Sequence, residues 1–203
     1  MQGQPGFQIG IFVFEGMEVL DFAGPYEVFT TAARVWARTH LEDPSLFSVS
    51  LLAETTAVRA RAGLLVYSDL ALECSAGLDL LVIPGGVVSD EQEKPHIIDW
   101  IRNASTQCML ASVCTGAFLL AKAGLLDNRC ATTHWEDIDD LRAQFPDIQV
   151  LSDKRWVDEG QIISSAGISA GIDMSLHLVE RLAGRELAVA TARQMEFDWT
   201  EAV

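Results

Sequence analysis

Short apolar segments alternate with amphipathic segments along most of this sequence, and that alternation limits the fold more than any other feature. Residues 7–14 form a nearly continuous apolar run, as expected of a strand that is covered on both faces. From Asp21 to about Thr39 the apolar residues recur every three or four positions, which is typical of a helix. Strands that alternate with helices predict a three-layer α/β sandwich, with a mostly parallel sheet between two layers of helices.

The other predicted elements continue this alternation. Strands are predicted over 47–53, 58–72 (one or two antiparallel strands), 78–83, 108–113, 130–133, 149–152, 155–158 and 161–165. Helices are predicted over 90–104, 115–123, 136–144, 169–182 and 185–195, with Gly184 as a C-cap candidate. Pro25 is expected to begin or kink the first helix, because its ring removes an interior hydrogen bond.

Composition excludes several classes of protein. The 203 residues carry 14 Lys and Arg against 29 Asp and Glu, a formal net charge of -15. No basic cluster occurs, so nucleic acid is not an expected partner. No apolar run reaches the roughly 18 residues of a membrane helix, and the N-terminal sequence lacks the basic and apolar regions of a signal peptide. We expect one domain over residues 1–203, located in the cytoplasm and not associated with a membrane.

The cysteines give no sign of a disulfide framework or a metal site. Cys74, Cys108, Cys114 and Cys130 form no C-x-x-C pair, and no histidine stands at metal-ligand spacing from them. We therefore predict reduced cysteines, no metal and no cofactor. Cys74 in a loop, Cys108 within a strand and Cys130 at a strand start are predicted to be inert.

Cys114 stands where a predicted strand meets a predicted helix. A sharp strand-to-helix turn lifts its central side chain clear of the sheet, as in the G-x-S-x-G nucleophile elbow, although that glycine pattern is not matched here. The positive end of the helix is expected to favour the thiolate over the thiol. We interpret Cys114 as a catalytic nucleophile. The alternative is a buried structural cysteine.

Ligands of such sheets bind beyond the carboxyl ends of the strands. The segment Pro84-Gly85-Gly86 ends a predicted strand there, and its bare backbone could donate N–H groups to a developing oxyanion, with the Thr115 amide as a second donor. A simple turn is the alternative. His134 follows another strand end, where it is either a base or polar wall, or a structural histidine.

Thiol chemistry also needs an acid or base. Asp21 either caps the first helix or, if that helix begins at Pro25, is free to meet the thiol; Glu18 is the rival carboxylate. A carboxylate beside a thiolate would share a proton with it and have a raised pKa. Asp173, in the first turn of a predicted helix, is interpreted as stabilising the helix dipole.

Five motifs, taken together and in this order, resemble the ThiJ/PfpI superfamily, which has the class I glutamine amidotransferase-like, flavodoxin-like fold. They lie at 16–29 (GMEVLDFAGPYEVF), 83–86 (IPGG), 111–117 (ASVCTGA), 131–135 (ATTHW) and 165–173 (SAGISAGID). The resemblance implies that Cys114 is the nucleophile and Asp21 its hydrogen-bonded acidic partner. It also implies that Gly86 and Thr115 form the oxyanion hole, with Thr115 as a further polar catalytic residue and His134 as a secondary candidate.

Two branches of the superfamily have these motif forms, the isonitrile hydratases and the sensing domains of AraC-like transcriptional regulators. The first implies a hydro-lyase that adds water to an isonitrile or similar small electrophile and gives an N-substituted formamide through a Cys114 thioimidate. The second implies a small-molecule or redox sensor, here without a DNA-binding module. The residue after Cys114 is Thr115 and not histidine, so a peptidase or glutaminase is disfavoured. The resemblance also implies a homodimer.

Overall fold

Seven strands form the central sheet of the computed structural model, which describes residues 6–42 and 46–201. The residues 1–5, where no signal peptide is predicted, lie outside these ranges. In chain order the strands are β1 (Phe7–Phe12), β2 (Phe47–Ala53), β3 (Ala57–Arg59), β4 (Leu65–Tyr67), β5 (Leu70–Ala71), β6 (Leu80–Ile83), β7 (Met109–Val113), β8 (Cys130–Ala131), β9 (Gln149–Val150), β10 (Trp156–Asp158) and β11 (Ile162–Ser165).

The central sheet has the order β10-β11-β7-β6-β1-β2-β5. All neighbours are parallel except the edge strand β10, which pairs antiparallel with β11. Two small pairs stand beside it, the antiparallel hairpin β3–β4 and the parallel pair β8–β9. The mostly parallel sheet confirms the predicted fold class, and the antiparallel strands expected within 58–72 are β3 and β4.

The helices form the two outer layers. They are α1 (Val19–Ala37), α2 (Ser89–Gln92), α3 (Pro95–Ala104), α4 (Gly116–Lys122), α5 (Ile138–Gln144), α6 (Ala170–Ala183) and α7 (Arg185–Gln194). The helices α1, α6 and α7 pack against one another, as do α2, α3 and α4. Within the described ranges, no helix combines the length and the apolar character needed to cross a membrane.

The core lies where the central strands meet these layers. Strand β6 is buried along its whole length, and so is the part of β7 from Leu110 to Val113. This burial on both faces explains why the sequence of β6 is a continuous apolar run and that of β7 is apolar except for Ser112. Helix α3 buries Ile97, Ile98 and Ile101 against the same core, so its predicted apolar face is confirmed.

Two prolines occupy different positions in the helices: Pro95 begins a helix, and Pro25 lies inside one. The helix predicted over 90–104 is two helices, because Pro95 begins α3 and ends any continuous run from α2. Helix α1 does not begin at Pro25. It begins at Val19, after the N-cap Glu18, and carries Pro25 in its interior. Asp21 therefore lies in the first turn of α1, and proline leaves its carbonyl without the usual donor four residues later.

Backbone contact between β6 and α4 fixes the turn after β7. A Cβ atom on Gly116 would overlap the carbonyl oxygen of Ile83 and lie 2.8 Å from that of Pro84. These oxygens are backbone atoms at the end of β6 and in the loop that follows it, so they cannot rotate away as the end of a flexible side chain could. Only glycine permits the first residue of α4 to approach β6 this closely.

Replacing Gly116 by alanine should therefore lower the free energy of unfolding by roughly 2–3 kcal/mol, as overpacking against backbone does. The matched control is Gly160→Ala, where the φ of +86° is unfavourable but no atom lies within 4 Å of the new Cβ. That control should lose only about 1–2 kcal/mol. Urea unfolding followed by circular dichroism measures both, and equal losses would contradict the close approach.

Candidate active site

The backbone of Cys114 is held on two sides at the turn between β7 and α4. Its N–H lies 3.2 Å from the carbonyl oxygen of Ser165 and 3.3 Å from that of Ala166. Its own carbonyl accepts a hydrogen bond of 2.8 Å from Thr133 Oγ1. Cys114 has a φ of 55°, in the left-handed region that non-glycine residues rarely adopt. This strained turn is the elbow geometry that the sequence predicts.

Asp21 places a carboxyl group in the interior beside Cys114. The residue is fully buried, and its Oδ2 accepts a 3.0 Å hydrogen bond from the Gly85 N–H. Its Oδ1 has no hydrogen-bond partner in the part of the chain that the structure describes. Burial raises the pKa of Asp21 to about 7, and the charge of Glu18 adds to the rise, against hydrogen bonding from Gly85, Cys114 and Ile168.

The surroundings of Cys114 favour the thiol over the thiolate. This corrects the expectation that the helix dipole favours the thiolate. Burial raises the pKa of Cys114 to about 12, and the negative charge of Asp21 raises it further. Hydrogen bonding from Thr115 opposes these effects but is weaker. The expectation failed because it counted the amide dipoles of α4 and left out desolvation. Asp21 and Cys114 form a coupled pair, in which the thiol must pass its proton to the carboxylate before it can attack.

Gly86 and Thr115 form a closed pair of hydrogen bonds. The Gly86 N–H donates to Thr115 Oγ1 at 2.8 Å, and the Thr115 hydroxyl donates to the Gly86 carbonyl at 2.9 Å. The predicted oxyanion donor Gly86 is therefore engaged here and would have to exchange partners to serve. The Thr115 N–H faces the sulfur of Cys114, where it lowers the thiol pKa.

The loop 84–86 also joins the start of α1 to the end of β6. The Glu18 N–H donates to the Gly85 carbonyl at 2.9 Å, and Met17 and Gly86 form an isolated antiparallel bridge. A Cβ on Gly86, whose φ is 129°, would lie 2.5 Å from both Glu18 N and Gly16 O. Glycine at this position thus lets the segment carrying Glu18 and Asp21 dock beside Cys114.

Glu18 has a different role from Asp21. Its carboxylate accepts the Val19 N–H at the start of α1, and its Oε2 lies 3.3 Å from Arg61 Nη1. Glu18 acts on Asp21 through its charge. The structure therefore places the rival carboxylate on the wall of the site and Asp21 next to the sulfur.

His134 stands on the opposite wall. Its Nδ1 lies 3.3 Å from the Glu136 N–H and 3.4 Å from Asp137 Oδ2. The nitrogen can serve one of these partners at a time: a neutral ring accepts from the amide, and a protonated ring pairs with the carboxylate. His134 thus has partners of its own at the edge of the cavity.

A cavity of about 380 Å³ opens at Cys114. It is lined by Glu18, Arg61, Gly86, Val87, Cys114, Thr115, His134, Glu136, Asp137 and Ile168. A larger cavity of about 610 Å³ lies around Trp135, Arg142 and Arg155 and excludes Cys114. The smaller cavity is the candidate site because it contains the reactive group.

Sequence reasoning missed Arg61 and Ile168. Arg61 reaches the cavity from the loop of the β3–β4 hairpin, which no local motif marks. Ile168 has a φ of 55°, unusual for a β-branched residue, and its backbone lies near enough to the Asp21 carboxyl to lower the pKa of Asp21 slightly. The Ile168 side chain does not indicate this backbone position, although the residue lies within the motif at 165–173.

Asp173 lies outside the cavity. It is fully buried in the first turn of α6, where its Oδ2 accepts a 2.9 Å bond from Arg155 Nε and its Oδ1 a 2.7 Å bond from the Thr200 N–H. Its position fits the predicted structural role, with an ion pair that the sequence did not indicate. Among residues 6–42 and 46–201, no group of three His, Cys, Asp or Glu side chains could hold a metal ion.

A mostly parallel sheet between two layers of helices, with a cysteine at the turn after a central strand and a buried acid beside it, places the chain among the flavodoxin-like α/β proteins. The comparisons with known proteins give the family. The DJ-1/PfpI family model matches residues 8–181, and the chain belongs to that family. The resemblance drawn from the five motifs is confirmed.

Two curated relatives represent the two predicted branches. The isonitrile hydratase of Pseudomonas putida is 33% identical over 94% of this chain and 78% of its own length. The HTH-type transcriptional regulator CdhR of Pseudomonas aeruginosa is 34% identical over 88% of this chain, which spans only 52% of that regulator. A crystal structure of a ThiJ/PfpI family protein from Pseudomonas syringae has a TM-score of 0.82 and 26% identity, covering 99% of this chain and 80% of that one.

The raised pKa of Asp21 has a consequence for stability. Its folded pKa of about 7 lies above the ordinary aspartate value of 3.8, so between these pH values the folded state holds a proton that the unfolded chain has released, and stability falls as the pH rises toward 7. Asp21→Asn removes this penalty. Relative to wild type, the variant should gain about 2–3 kcal/mol more at pH 8 than at pH 5, from two pH units at 1.36 kcal/mol each.

Urea unfolding of both proteins at the two pH values measures this difference. Other titrating groups cancel in the comparison, since both proteins contain them. The same ΔΔG at pH 5 and pH 8 would show that the carboxyl titrates normally.

Proposed function

We propose that this protein is a cysteine-dependent hydro-lyase that adds water to an isonitrile, or to a similar small electrophile. The observation that supports the proposal most is that Cys114 lines a cavity and has beside it a buried carboxyl whose Oδ1 accepts no hydrogen bond from the described residues. Such a pair can move one proton between sulfur, carboxyl and substrate without water. The likeness to the Pseudomonas putida isonitrile hydratase supports the choice of substrate class.

The first step adds the S–H group of Cys114 across the terminal carbon of the isonitrile. Asp21 accepts the thiol proton, the sulfur forms a bond to that carbon, and Asp21 delivers the proton to the same carbon. The product is a thioimidate, R–N=CH–S, on Cys114. A carboxyl with a pKa of about 7 suits both halves of this transfer at neutral pH.

The second step consumes one water molecule. Asp21 takes one proton from the water, whose oxygen bonds to the thioimidate carbon, and passes that proton to the thioimidate nitrogen. The C–S bond then breaks, the formamide R–NH–CHO leaves, and the hydroxyl proton returns to the sulfur. Thr115 is suited to position the water, because its hydroxyl oxygen donates one bond and accepts one, which leaves a lone pair.

Gly86 and Thr115 are also proposed to stabilise negative charge on the intermediates. The Gly86 N–H becomes available when its bond to Thr115 Oγ1 is exchanged for one to the intermediate. His134 and Glu18 are proposed as wall residues that shape access, since each is engaged with a neighbour.

Incubation with a simple alkyl isonitrile tests the proposal. Wild type should form the formamide, and Cys114→Ala should be slower by at least about 100-fold because it lacks the nucleophile. Cys74→Ala is the matched control, since Cys74 is an exposed free thiol, and it should keep the wild-type rate. Mass spectrometry and formamide quantification read the result. Absence of turnover by wild type, or undiminished turnover by Cys114→Ala, would refute the proposal.

The pH profile tests the role of Asp21. Below its pKa of about 7 the carboxyl is protonated and cannot accept the thiol proton. We expect kcat/KM to fall about tenfold per pH unit below about 7 and to be flat between pH 8 and pH 9, since the thiol pKa is about 12. Asp21→Asn should be strongly impaired and lack that acid limb. A wild-type profile that is flat from pH 5.5 to pH 8 would remove Asp21 from the role.

The second candidate function is a sensing domain. The likeness to CdhR favours it, and the high thiol pKa is compatible with a site that binds a ligand without turnover. Stoichiometric binding of the small molecule without product, in wild type and Cys114→Ala alike, would support sensing over catalysis.

A further inference from the structure

An acidic segment stands at the mouth of the candidate site. Residues 136–140 read Glu-Asp-Ile-Asp-Asp, four carboxylates in five residues. Glu136 and Asp137 line the cavity at Cys114. Asp140 and Asp137 line an adjoining cavity of about 280 Å³, which shares Gly86, Val87 and Thr115 with the first. The two cavities form one cleft, which we call the acidic cleft.

Positive charge in the acidic cleft is scarce. Arg61 is the one Lys or Arg that lines either cavity in the described chain, and Glu18 is its ion-pair partner at 3.3 Å. Four lining carboxylates thus stand against one guanidinium, a net charge of -3 with neutral His134 and -2 with the protonated ring. The sign is the same in either state of the histidine.

This charge reaches the reactive atom. The carboxylate of Asp137 is among the groups that raise the pKa of Cys114. Glu136 is more exposed, with 64% of its side chain accessible against 32% for Asp137, so its field is more strongly screened. Clefts lined by one sign of charge concentrate ions of the opposite sign and repel ions of the same sign.

We propose that the acidic cleft selects electrophiles by charge, admitting neutral and cationic molecules to Cys114 and rejecting anionic ones, with Asp137 and Glu136 as the residues that set this preference. As a statement about substrates the proposal rests on the proposed function. It adds that the natural electrophile is neutral or carries an amine or quaternary ammonium group, and carries no carboxylate, sulfonate or phosphate. Arg61 does not reverse this preference, because Glu18 neutralises it.

Two methanethiosulfonate reagents of similar size test the proposal without any isonitrile. One carries a trimethylammonium group and the other a sulfonate group. With either reagent the thiolate sulfur forms a mixed disulfide and methanesulfinate leaves. Rates at Cys114 are measured at pH 8 and low ionic strength by peptide mass spectrometry, and the exposed thiol Cys74 in the same molecule is the internal reference.

The cation-to-anion rate ratio at Cys114 should exceed that at Cys74 by about tenfold or more, and the excess should shrink as salt is added. Asp137→Asn and Glu136→Gln should each lower the excess several-fold. The matched control Glu186→Gln removes a carboxylate on α7, outside the cleft, and should leave it unchanged. Since Glu136 is mostly exposed, its variant keeps the test valid if Asp137→Asn fails to fold.

A ratio at Cys114 no higher than at Cys74, or a faster reaction of Cys114 with the sulfonate, would overturn the proposal. The outcome is separable from that of the proposed function. Charge preference without isonitrile turnover would support the role of the acidic cleft and contradict the proposed hydratase activity. Isonitrile turnover without charge preference would support the hydratase activity and contradict the role of the acidic cleft.

Discussion

One proton shared between two buried groups is the constraint on which the rest of the site depends. Asp21 is fully buried and Cys114 is 7% exposed, so solvent stabilises the charged form of neither group well. Among the described residues, the donor that hydrogen-bonds the carboxylate is the Gly85 N–H. When the pair holds one proton, chemistry begins once a substrate gives that proton a destination.

The architecture around this pair is mostly backbone. Ser165, Ala166 and Thr133 fix the Cys114 peptide, and Gly85 supplies an amide to Asp21. Each of these groups lies at or near the carboxyl end of a strand, where parallel strands direct their following loops to one edge of the sheet. Side-chain variation in these loops would change access to the cavity and leave the positions of the reacting atoms in place.

The fold could be predicted from the sequence because the central strands are buried on both faces, and their sequences are therefore nearly continuous apolar runs. The elbow at Cys114 was predictable for a similar reason, since a strand runs straight into Thr115 and Gly116. The pKa of the thiol was not, because desolvation depends on how tightly the loops close over the sulfur. The loop of the β3–β4 hairpin, which brings Arg61 to the cavity, is a long-range arrangement that no local pattern encodes. The homodimer and the cytoplasmic location stay predictions.

The close seat of Gly116 on the end of β6 has a mechanical consequence. Strand β6 and its loop carry Ile83, the carbonyl that touches Gly116, and Gly85, the amide that binds Asp21. The turn that carries the Cys114 sulfur and the Gly85 amide that binds Asp21 are therefore in direct contact through β6, and they shift together when the sheet twists. The carboxyl of Asp21 lies in the first turn of α1, whose start is bonded to the same loop through the Glu18 N–H and the Met17–Gly86 bridge. A twist of the sheet would therefore carry acid and nucleophile along together and preserve the spacing between them.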